Sequence, residues 1–545
     1  MSAGTLTPRL ADVPSTAPAP ERALSRLAVR LVARGAAIVV AVAAGMSAIV
    51  VTSYDSLMAD SAAAGSLGAL AANPAIRTLF GEPFALDTAG GFTVWRTGTV
   101  VAVLIAVWAI LAATRITRGE EDAGRWDLLL AGPVPLRTAV AAHLRVVGAV
   151  PVLLTVALWA AMAATGAGAG GAAVHAAGVG MAGLFFAGVA ALAAQIQPTR
   201  AAAVGSAVAV LGVGLLARMI GDGVAALDWL RWTTPFGLLE LSRPYAGNRA
   251  GPLLLLAAAT VVVWATALAV AGRRDVRGGL RAPAAGRPPR TRLLGSVEAF
   301  AVRRALRPVG AWSLGIGAYF LLIGLIATTM TDFLADNPAF ADAAGAAGFA
   351  GLTSVEGYAA TLFAVLAVPV GLYAADRVST FAGAEADRRL TLLAAQPITR
   401  RRLVGAEVAA VTAGVVVLTT VAGVAMWSGV VVTGGGLGFA AAVSGVWNTL
   451  PIALLSAGAA VLALGWFPRL TGGVGAVPAA GGFLLQVIAE SAGAPPWLIN
   501  LSPYAHLAPV PLASPNLTAA AAMVILAVAL TVVGVAGFAR RDLRV

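Results

Sequence analysis

One pattern occurs twice in this chain: EDAGRWDLLLAGPVPLR at residues 121–137 and EADRRLTLLAAQPITRR at residues 385–401. Beyond the shared first glutamate, six positions match at one constant spacing of 264 residues. Two weaker matches follow in the same order: TPF at 234–236 with SPY at 502–504, and RRDVR at 273–277 with RRDLR at 540–544. Three matches in one order indicate a duplicated chain.

Each copy of the pattern lies among long apolar segments. Hydrophobic residues make up 59% of the chain and charged residues 11%, whereas soluble domains carry about 25% charged residues. A bilayer crossing takes about 20 apolar residues, and twelve segments qualify. They are Gly35–Ser53, Thr97–Ala113, Val146–Thr165, Ala172–Ile196, Ala201–Met219, Pro252–Gly272, Gly310–Met330, Tyr358–Ala375, Val408–Val431, Gly438–Leu464, Gly472–Glu490 and Leu517–Phe538.

These segments predict the fold and its division. The fold class is an all-α polytopic membrane protein, with about twelve transmembrane helices as two parallel six-helix repeats and short cytoplasmic helices between spans. We predict a disordered tail at residues 1–20, a first six-span half at 21–276, a Pro-, Gly- and Arg-rich linker at 277–295 and a second six-span half at 296–545.

The arginines predict the orientation. With both termini in the cytoplasm, 31 of the 37 basic residues lie on the cytoplasmic side, as the positive-inside rule requires. The other six face outward: Arg77, Arg96, Arg218, Arg231, Arg243 and Arg249. We therefore predict a multi-pass protein of the inner or plasma membrane. The net charge of +12 reflects this anchoring and does not indicate a nucleic-acid partner.

The residue types that are missing exclude several kinds of site. The sequence contains no cysteine and no lysine. A P-loop requires a lysine that reaches the nucleotide phosphates, so this sequence cannot form one. Its three histidines, His143, His175 and His506, are widely separated and do not predict a metal site.

The repeated pattern predicts a short helix along the cytoplasmic surface. Acidic residues begin it and arginines follow, which suits the helix macrodipole, and Pro133 and Pro397 end it. Residues four apart share one helix face, so Glu121, Arg125 and Leu129 are expected to present one surface. The alternative interpretation is a solvated loop that only anchors the topology.

Amphipathic segments precede both halves. Arginines recur at every fourth position of Glu21–Arg34, and leucines face away from them. This pattern is typical of an interfacial helix whose arginines face membrane lipid headgroups or a partner subunit. Residues Ser296–Pro308 repeat it more weakly. An equal alternative is that these arginines only fix the orientation of the chain in the membrane and transmit no movement from a partner.

The duplicated pattern resembles a known family of membrane proteins. The form E-x-x-x-R-x-x-L-L-x-A-x-P-[VI]-x-x-R after the second span of a six-span half resembles the permeases of ABC-2-type exporters. The fused double half with its arginine-rich linker and RRD endings is similar to actinobacterial polyketide-antibiotic, tetronasin-type and multidrug efflux permeases. The second copy departs at Ala384 and Arg388, where the first has Glu120 and Gly124.

The resemblance implies a mechanism. In such exporters the short cytoplasmic helix sits in a cleft of a separate ATPase, so this chain would be a transporter permease with no catalytic site of its own. ATP and Mg would be bound by two copies of the partner. The first and fifth spans of each half would enclose the path of the substrate. The implied coupling residues are Glu120, Glu121, Arg125, Leu128, Leu129, Pro133, Arg137, Glu385, Arg389, Leu392, Leu393, Pro397 and Arg401.

A proton-driven multidrug transporter of about twelve spans is the alternative function. It would need buried carboxylates as a relay, and the sequence shows no paired acids in the middle of a span. Arg145, Arg218, Arg377 and Glu490 lie near span ends, from which their side chains can reach the membrane surface. The double cytoplasmic pattern favours the ATP-driven exporter.

The cargo is expected to be a hydrophobic or amphipathic small molecule, such as a drug or antibiotic. Aromatic side chains within spans offer apolar area for such a ligand. The candidates for the substrate path are Trp108, Tyr319, Phe320, Phe363 and Phe483. For any single one of them, helix packing or lipid contact is the alternative interpretation.

Overall fold

The computed structural model describes residues 20–58, 77–78, 80–131, 134–273, 291–338, 350–491 and 495–542. Within these ranges the regular structure is helical and contains no strand. Eleven described helical segments are long and apolar enough to cross a membrane. The protein is therefore an all-α polytopic membrane protein, as predicted. The predicted tail, apart from residue 20, and most of the predicted linker lie outside the described residues.

The chain divides into two compact units, with the main boundary at Arg287–Pro288. Unit 1 contains α1 (Pro20–Met58), α2 (Ala89–Thr114), α3 (Arg125–Leu129), α4 (Leu136–Ala164), α5 (Ala169–Ile196), α6 (Arg200–Gly223), α7 (Pro235–Leu241) and α8 (Ala250–Ala271). Unit 2 contains α9 (Val297–Asp336), α10 (Val355–Ala386), α11 (Thr391–Ala394), α12 (Arg400–Val432), α13 (Phe439–Trp447), α14 (Leu450–Trp466), α15 (Thr471–Ala476), α16 (Gly482–Ser491), α17 (Pro496–Ile499) and α18 (Leu517–Arg540).

The two units repeat the same helix pairings. In unit 1, α1 packs on α4, α2 on α5 and α5 on α8. In unit 2, α9 packs on α12, α10 on α14 and α14 on α18. Each set joins the first predicted span to the third, the second to the fourth and the fourth to the sixth. The internal repeat seen in the sequence therefore extends to the packing within each unit.

The amphipathic segments are not separate interfacial helices, which corrects the prediction. Residues 21–34 belong to the 39-residue helix α1, and residues 297–308 belong to the 40-residue helix α9. At 1.5 Å per residue each helix is about 60 Å long, roughly twice the thickness of the hydrocarbon core. Leu24 and Ala28 of the extension are buried, so packing within unit 1 continues the helix beyond the span.

Two predicted spans are interrupted helices. The predicted span Gly438–Leu464 consists of α13 and α14, which are separated at Asn448–Thr449. The predicted span Gly472–Glu490 consists of α15 and α16, joined by a π-helical segment at Val477–Gly481. Pro478 lies in that segment and has no N–H to donate, so the regular hydrogen-bond ladder cannot pass through it.

Glycines set the closeness of the helix contacts in unit 2. A Cβ atom on Gly324 of α9 would lie 2.4 Å from the backbone oxygen of Met426. A Cβ on Gly429 of α12 would lie 2.5 Å from the backbone oxygen of Leu321. Both distances are too short for a real contact, so the α9 and α12 backbones touch where no side chain intervenes. Membrane helices, which gain little hydrophobic energy by associating, use small residues in this way.

Candidate functional site

The first copy of the repeated pattern begins with a buried ion pair. After α2 the chain forms a π-helical segment, Arg115–Gly119, and one further helical turn, Glu120–Asp122. The side chain of Arg118 is fully buried, and its Nη1 lies 3.0 Å from Oε2 of the equally buried Glu121. Arg118 also donates a hydrogen bond from Nη2 to the carbonyl of Gln197. The pair therefore fastens the end of α2 to the connection between α5 and α6.

The pattern then changes direction, which corrects the predicted single helix. Gly124 adopts a left-handed conformation with φ of 72°, and α3 begins at Arg125. The guanidinium of Arg125 faces outward and pairs with Glu120, with Nη2 donating to Oε1 over 2.6 Å. Glu121 and Arg125 therefore do not share one surface, because glycine breaks the helix between them.

The remaining residues of the first copy divide into anchors and exposed groups. Trp126 is fully buried against the ring of His143, with centroids 5.5 Å apart. Leu129 is half-buried and packs against the small apolar cluster that contains Leu24. Leu128 is 81% exposed, and Arg137 is also exposed. The predicted stop at Pro133 lies outside the described residues.

The second copy keeps the same plan with different partners. Glu385 is buried, and one of its carboxylate oxygens lies 2.5 Å from Nη2 of Arg541, just beyond α18. Arg388 takes the left-handed conformation with φ of 59°, at the repeat position of Gly124. Arg389 follows, largely exposed, with Asp387 at 3.4 Å. A buried glutamate, a left-handed residue and an exposed arginine thus recur in order.

The rest of the second copy lies near the surface. Leu393 is half-buried, whereas Pro397 and Arg401 are exposed. The helix α11 contains Leu392, whose side chain lies outside the described part of the structure. A buried glutamate anchors each copy, and each unit leaves two arginines of the pattern exposed, at 125 and 137 in unit 1 and at 389 and 401 in unit 2.

The aromatic candidates for the substrate path do not form one group. Trp108 lies in unit 1, where its Nε1 would be 3.1 Å from a Cβ on Gly35. Phe320 and Phe363 stack in the interior of unit 2, with ring centroids 6.1 Å apart, and Tyr319 packs edge-on against Phe320. Phe483 packs elsewhere in unit 2, against Tyr504. The burial of Phe320 and Phe363 is what helix packing requires, and a role in the path stays a prediction.

A cluster of charges that the sequence did not predict joins α6 to the segment before α2, to the connection between α6 and α7, and to α7 itself. Nε of Arg218 lies 3.3 Å from Oδ2 of Asp222, and its Nη1 lies 3.8 Å from Oε2 of Glu240. Nη1 of Arg231 lies 2.8 Å from Oε2 of Glu82, whose backbone N–H donates to Glu240. Burial raises the pKa of the Glu240 carboxyl, and the nearby Arg218 opposes this effect. We call these five residues the unit 1 charge cluster.

The unit 1 charge cluster corrects the interpretation of Arg218 as a residue that reaches the membrane surface. Its side chain is only 2% exposed because two carboxylates neutralise it inside the protein. The spacing of Arg218 and Asp222, four residues apart on one helix face, was a sequence signal for this pairing. The participation of Glu82 and Glu240 depends on tertiary contacts and had no such signal.

A second unforeseen ion cluster lies inside unit 2. Glu407 of α12 accepts a hydrogen bond from Arg377 of α10 over 3.2 Å, and Nη1 of Arg304 of α9 lies 3.5 Å away. Glu407 and Arg377 are buried, so Arg377 too is paired internally. Glu407 occupies the repeat position of His143 in unit 1. The cluster ties together three helices of unit 2.

Comparison with known proteins identifies the family. Over 519 residues the chain is 30% identical to the multidrug efflux system permease protein Rv1217c of Mycobacterium tuberculosis, covering 92% of this chain and 90% of that protein. The chain belongs to the Rv1217c family of multidrug efflux permeases. Residues 294–539 also match the family described as multidrug efflux system permease Rv1217c, C-terminal domain. Membership in the Rv1217c family confirms the efflux-permease part of the resemblance.

Proposed function

We propose that this chain is the membrane permease of an ABC-2-type exporter, in which a separate subunit hydrolyses ATP and this chain moves amphipathic drugs or antibiotics out of the cell. The proposal rests on the duplicated pattern. Each copy follows the second span of its unit, is anchored by a buried glutamate, and leaves arginines exposed at equivalent positions. Two equivalent exposed surfaces suit two copies of one partner.

The source of energy lies in the partner. Because the sequence has no lysine, ATP and its Mg are bound by the ATPase subunits. Both termini and both copies of the pattern face the cytoplasm, where ATP is available, and the chain lies in the plasma membrane. This orientation agrees with the distribution of arginines.

The two glutamates of the repeated pattern do not contact the ATPase directly. Glu121 and Glu385 are buried and position the segments that follow. The exposed side chains, among them Arg125, Arg137, Arg389 and Arg401, contact the ATPase. Movement of the ATPase then acts on α2 and α10 through the short helices α3 and α11.

A second candidate function, proton-driven export, is favoured by one observation. The unit 1 charge cluster brings Glu82, Asp222 and Glu240 together with two arginines, and such a group of carboxyls can exchange protons. The ATP-driven exporter is preferred because it also accounts for the duplicated cytoplasmic pattern, which a proton-driven transporter does not need.

Inverted membrane vesicles distinguish the two functions. Vesicles that contain this chain and its ATPase should accumulate a fluorescent amphipathic drug when ATP is added, with or without a protonophore. A matched preparation without the ATPase should accumulate none. Accumulation that needs no ATPase and is abolished by the protonophore would favour proton-driven export and contradict the proposal.

A further inference from the structure

A groove of about 460 Å³ lies beside the first copy of the repeated pattern in unit 1. It is bounded by α1, the π-helical segment after α2, α3 and the start of α6. Its lining residues are Leu27, Leu31, Arg115, Gly119, Glu120, Arg125, Leu128, Leu129 and Arg200. We call this the unit 1 groove.

The unit 1 groove carries two arginines, Arg115 and Arg200, that form no ion pair with the described part of the chain. Glu120 and Arg125 neutralise each other. Arg115 is exposed. Its charge repels that of Arg200, and this repulsion is larger than the attraction of Arg200 to either Asp122 or Glu120. Two neighbouring cations of this kind are stabilised by an anion between them.

Arg200 is held in place at the wall of the groove. Its backbone N–H donates to Oδ2 of Asp122 over 2.7 Å, and its Cδ lies 2.9 Å from the place that a Cβ on Gly119 would take. Its Nε is buried and makes no hydrogen bond to the part of the chain that the structure describes. Arg200 is half-buried, so its guanidinium is held at the wall of the groove while part of it stays accessible to an anion.

The rest of the lining is apolar. Leu27 and Leu31 contribute from α1, and Leu128 and Leu129 contribute from α3. Arg115 directly follows the last residue of α2, so the groove lies where an apolar span ends. A ligand that fits must combine an anionic group with a hydrocarbon portion at the level of the lipid headgroups.

We propose that the unit 1 groove binds one anionic phospholipid, whose phosphate is held by Arg115 and Arg200 and whose acyl chain lies against the leucines. Basic pockets between membrane helices recognise anionic headgroups in this way. A free phosphate would leave the apolar wall exposed to water, and a protein helix would bring backbone and side-chain polar groups against the leucines. The lipid matches both parts of the groove.

Unit 2 contains a natural comparison. A groove of about 600 Å³ lies at the repeat-related place, and its lining includes Gly383, which corresponds to Gly119, and Ser379, which corresponds to Arg115. It also includes Glu385, paired with Arg541, and one further arginine, Arg469. The unit 2 groove therefore has one fewer cation without a partner, and it should bind an anionic lipid more weakly.

Native mass spectrometry of the purified full-length chain, titrated with phosphatidylglycerol or phosphatidylcholine, tests the proposal. Wild-type protein should retain one phosphatidylglycerol tightly. Arg115→Ser and Arg200→Gln should each weaken its binding about fivefold and leave phosphatidylcholine binding unchanged. Ser379→Arg should create a second tight site in unit 2. Arg26→Ser is the matched control, because Arg26 is exposed on α1 and does not line the groove.

Four results would overturn the proposal. Equal losses for Arg26→Ser and Arg115→Ser would mean diffuse attraction to the basic surface. Unchanged phosphatidylglycerol binding in an Arg115→Ser/Arg200→Gln double variant would exclude the lipid site. If that variant kept phosphatidylglycerol but no longer bound the ATPase, the groove would be a contact for the protein partner. Protection against thermal unfolding by inorganic phosphate, equal to that by phosphatidylglycerol, would indicate an anion site without lipid specificity.

Discussion

The buried pair of Arg118 and Glu121 has a structural role that a surface interpretation of the pattern misses. Both side chains are at most 1% exposed, so neither can gain water when the other is removed. An unpaired buried charge is costly, whereas a charge near the surface can be solvated. The two copies differ in this respect, because Arg541, the partner of Glu385, is 22% exposed.

Glu121→Ala should therefore destabilise the protein by about 3 kcal/mol, because it leaves Arg118 without its closest carboxylate. Glu385→Ala is the matched substitution and should cost less, because water reaches Arg541. Melting temperatures of the purified variants in detergent provide the measurement. Equal melting temperatures for Glu121→Ala and wild type would contradict the role assigned to the pair.

The left-handed residue of the pattern gives a second prediction. Gly124 and Arg388 make the same backbone hydrogen bond, to the carbonyl of Glu121 or Glu385 over 2.9 Å. A residue with a side chain pays about 1–2 kcal/mol of strain in the left-handed conformation. Glycine avoids this strain but loses about 0.5–1 kcal/mol more conformational entropy on folding. The strain is the larger of the two costs, so glycine is the more stable residue at this position.

Arg388→Gly should thus raise the stability of unit 2 by roughly 0.5–1 kcal/mol, and the matched Gly124→Ala should lower that of unit 1. Thermal unfolding in detergent measures both changes. Arg388 is exposed, so lost packing does not offset the gain. A lower melting temperature for Arg388→Gly would show that the arginine side chain makes a contact that outweighs the strain.

At the scale of helices, residue pattern predicted most of the architecture, and its limits have physical causes. The length of the apolar segments identified the spans. It could not show that α1 and α9 continue far beyond them, because the extension of α1 depends on the burial of residues such as Leu24 and Ala28 in the folded protein. The repeat predicted two copies of the motif. It did not show the break at Gly124, because a lone glycine within a helical pattern need not end the helix.

Helix contacts in unit 2 give the prediction at this scale. Gly429→Ala should separate α9 from α12, because the new methyl group would meet the α9 backbone. Overpacking of this kind costs about 1–3 kcal/mol. Gly405→Ala on the same helix is the matched control, because a Cβ at that position would meet open space. Gly434→Ala is less suitable because Gly434 has a positive φ. If both variants melted at the same temperature, close packing at Gly429 would be unimportant.

At the scale of the whole molecule, the candidate site was only partly predictable. The exposed arginines at 125, 137, 389 and 401 were found from the repeat, because matching positions at one spacing are visible in a single sequence. The ion clusters around Asp222 and Glu407 were missed, because their members come from segments far apart in the chain. Burial of charge inside a membrane protein depends on such tertiary partners.

The central claim is that the two copies of the pattern bind an ATPase through their exposed residues. Arg137 and Arg401 hold the same position in the two copies, and both are exposed. Reversal of their charges should weaken binding, because a lost or reversed charge pair at an interface costs about 2–5 kcal/mol. Neither arginine lines the unit 1 groove, so this test is independent of lipid binding.

The most direct measurement is co-purification of the ATPase with an Arg137→Glu/Arg401→Glu variant, together with ATP-driven drug uptake by inverted vesicles. We expect the variant to keep the wild-type melting temperature, to lose most of the bound ATPase and to lose uptake. Arg249→Glu, the same charge change at an exposed residue that directly precedes α8, should keep both. A double variant that retains the ATPase and transports like wild type would contradict the claim, and the repeated pattern would then be only a topological anchor.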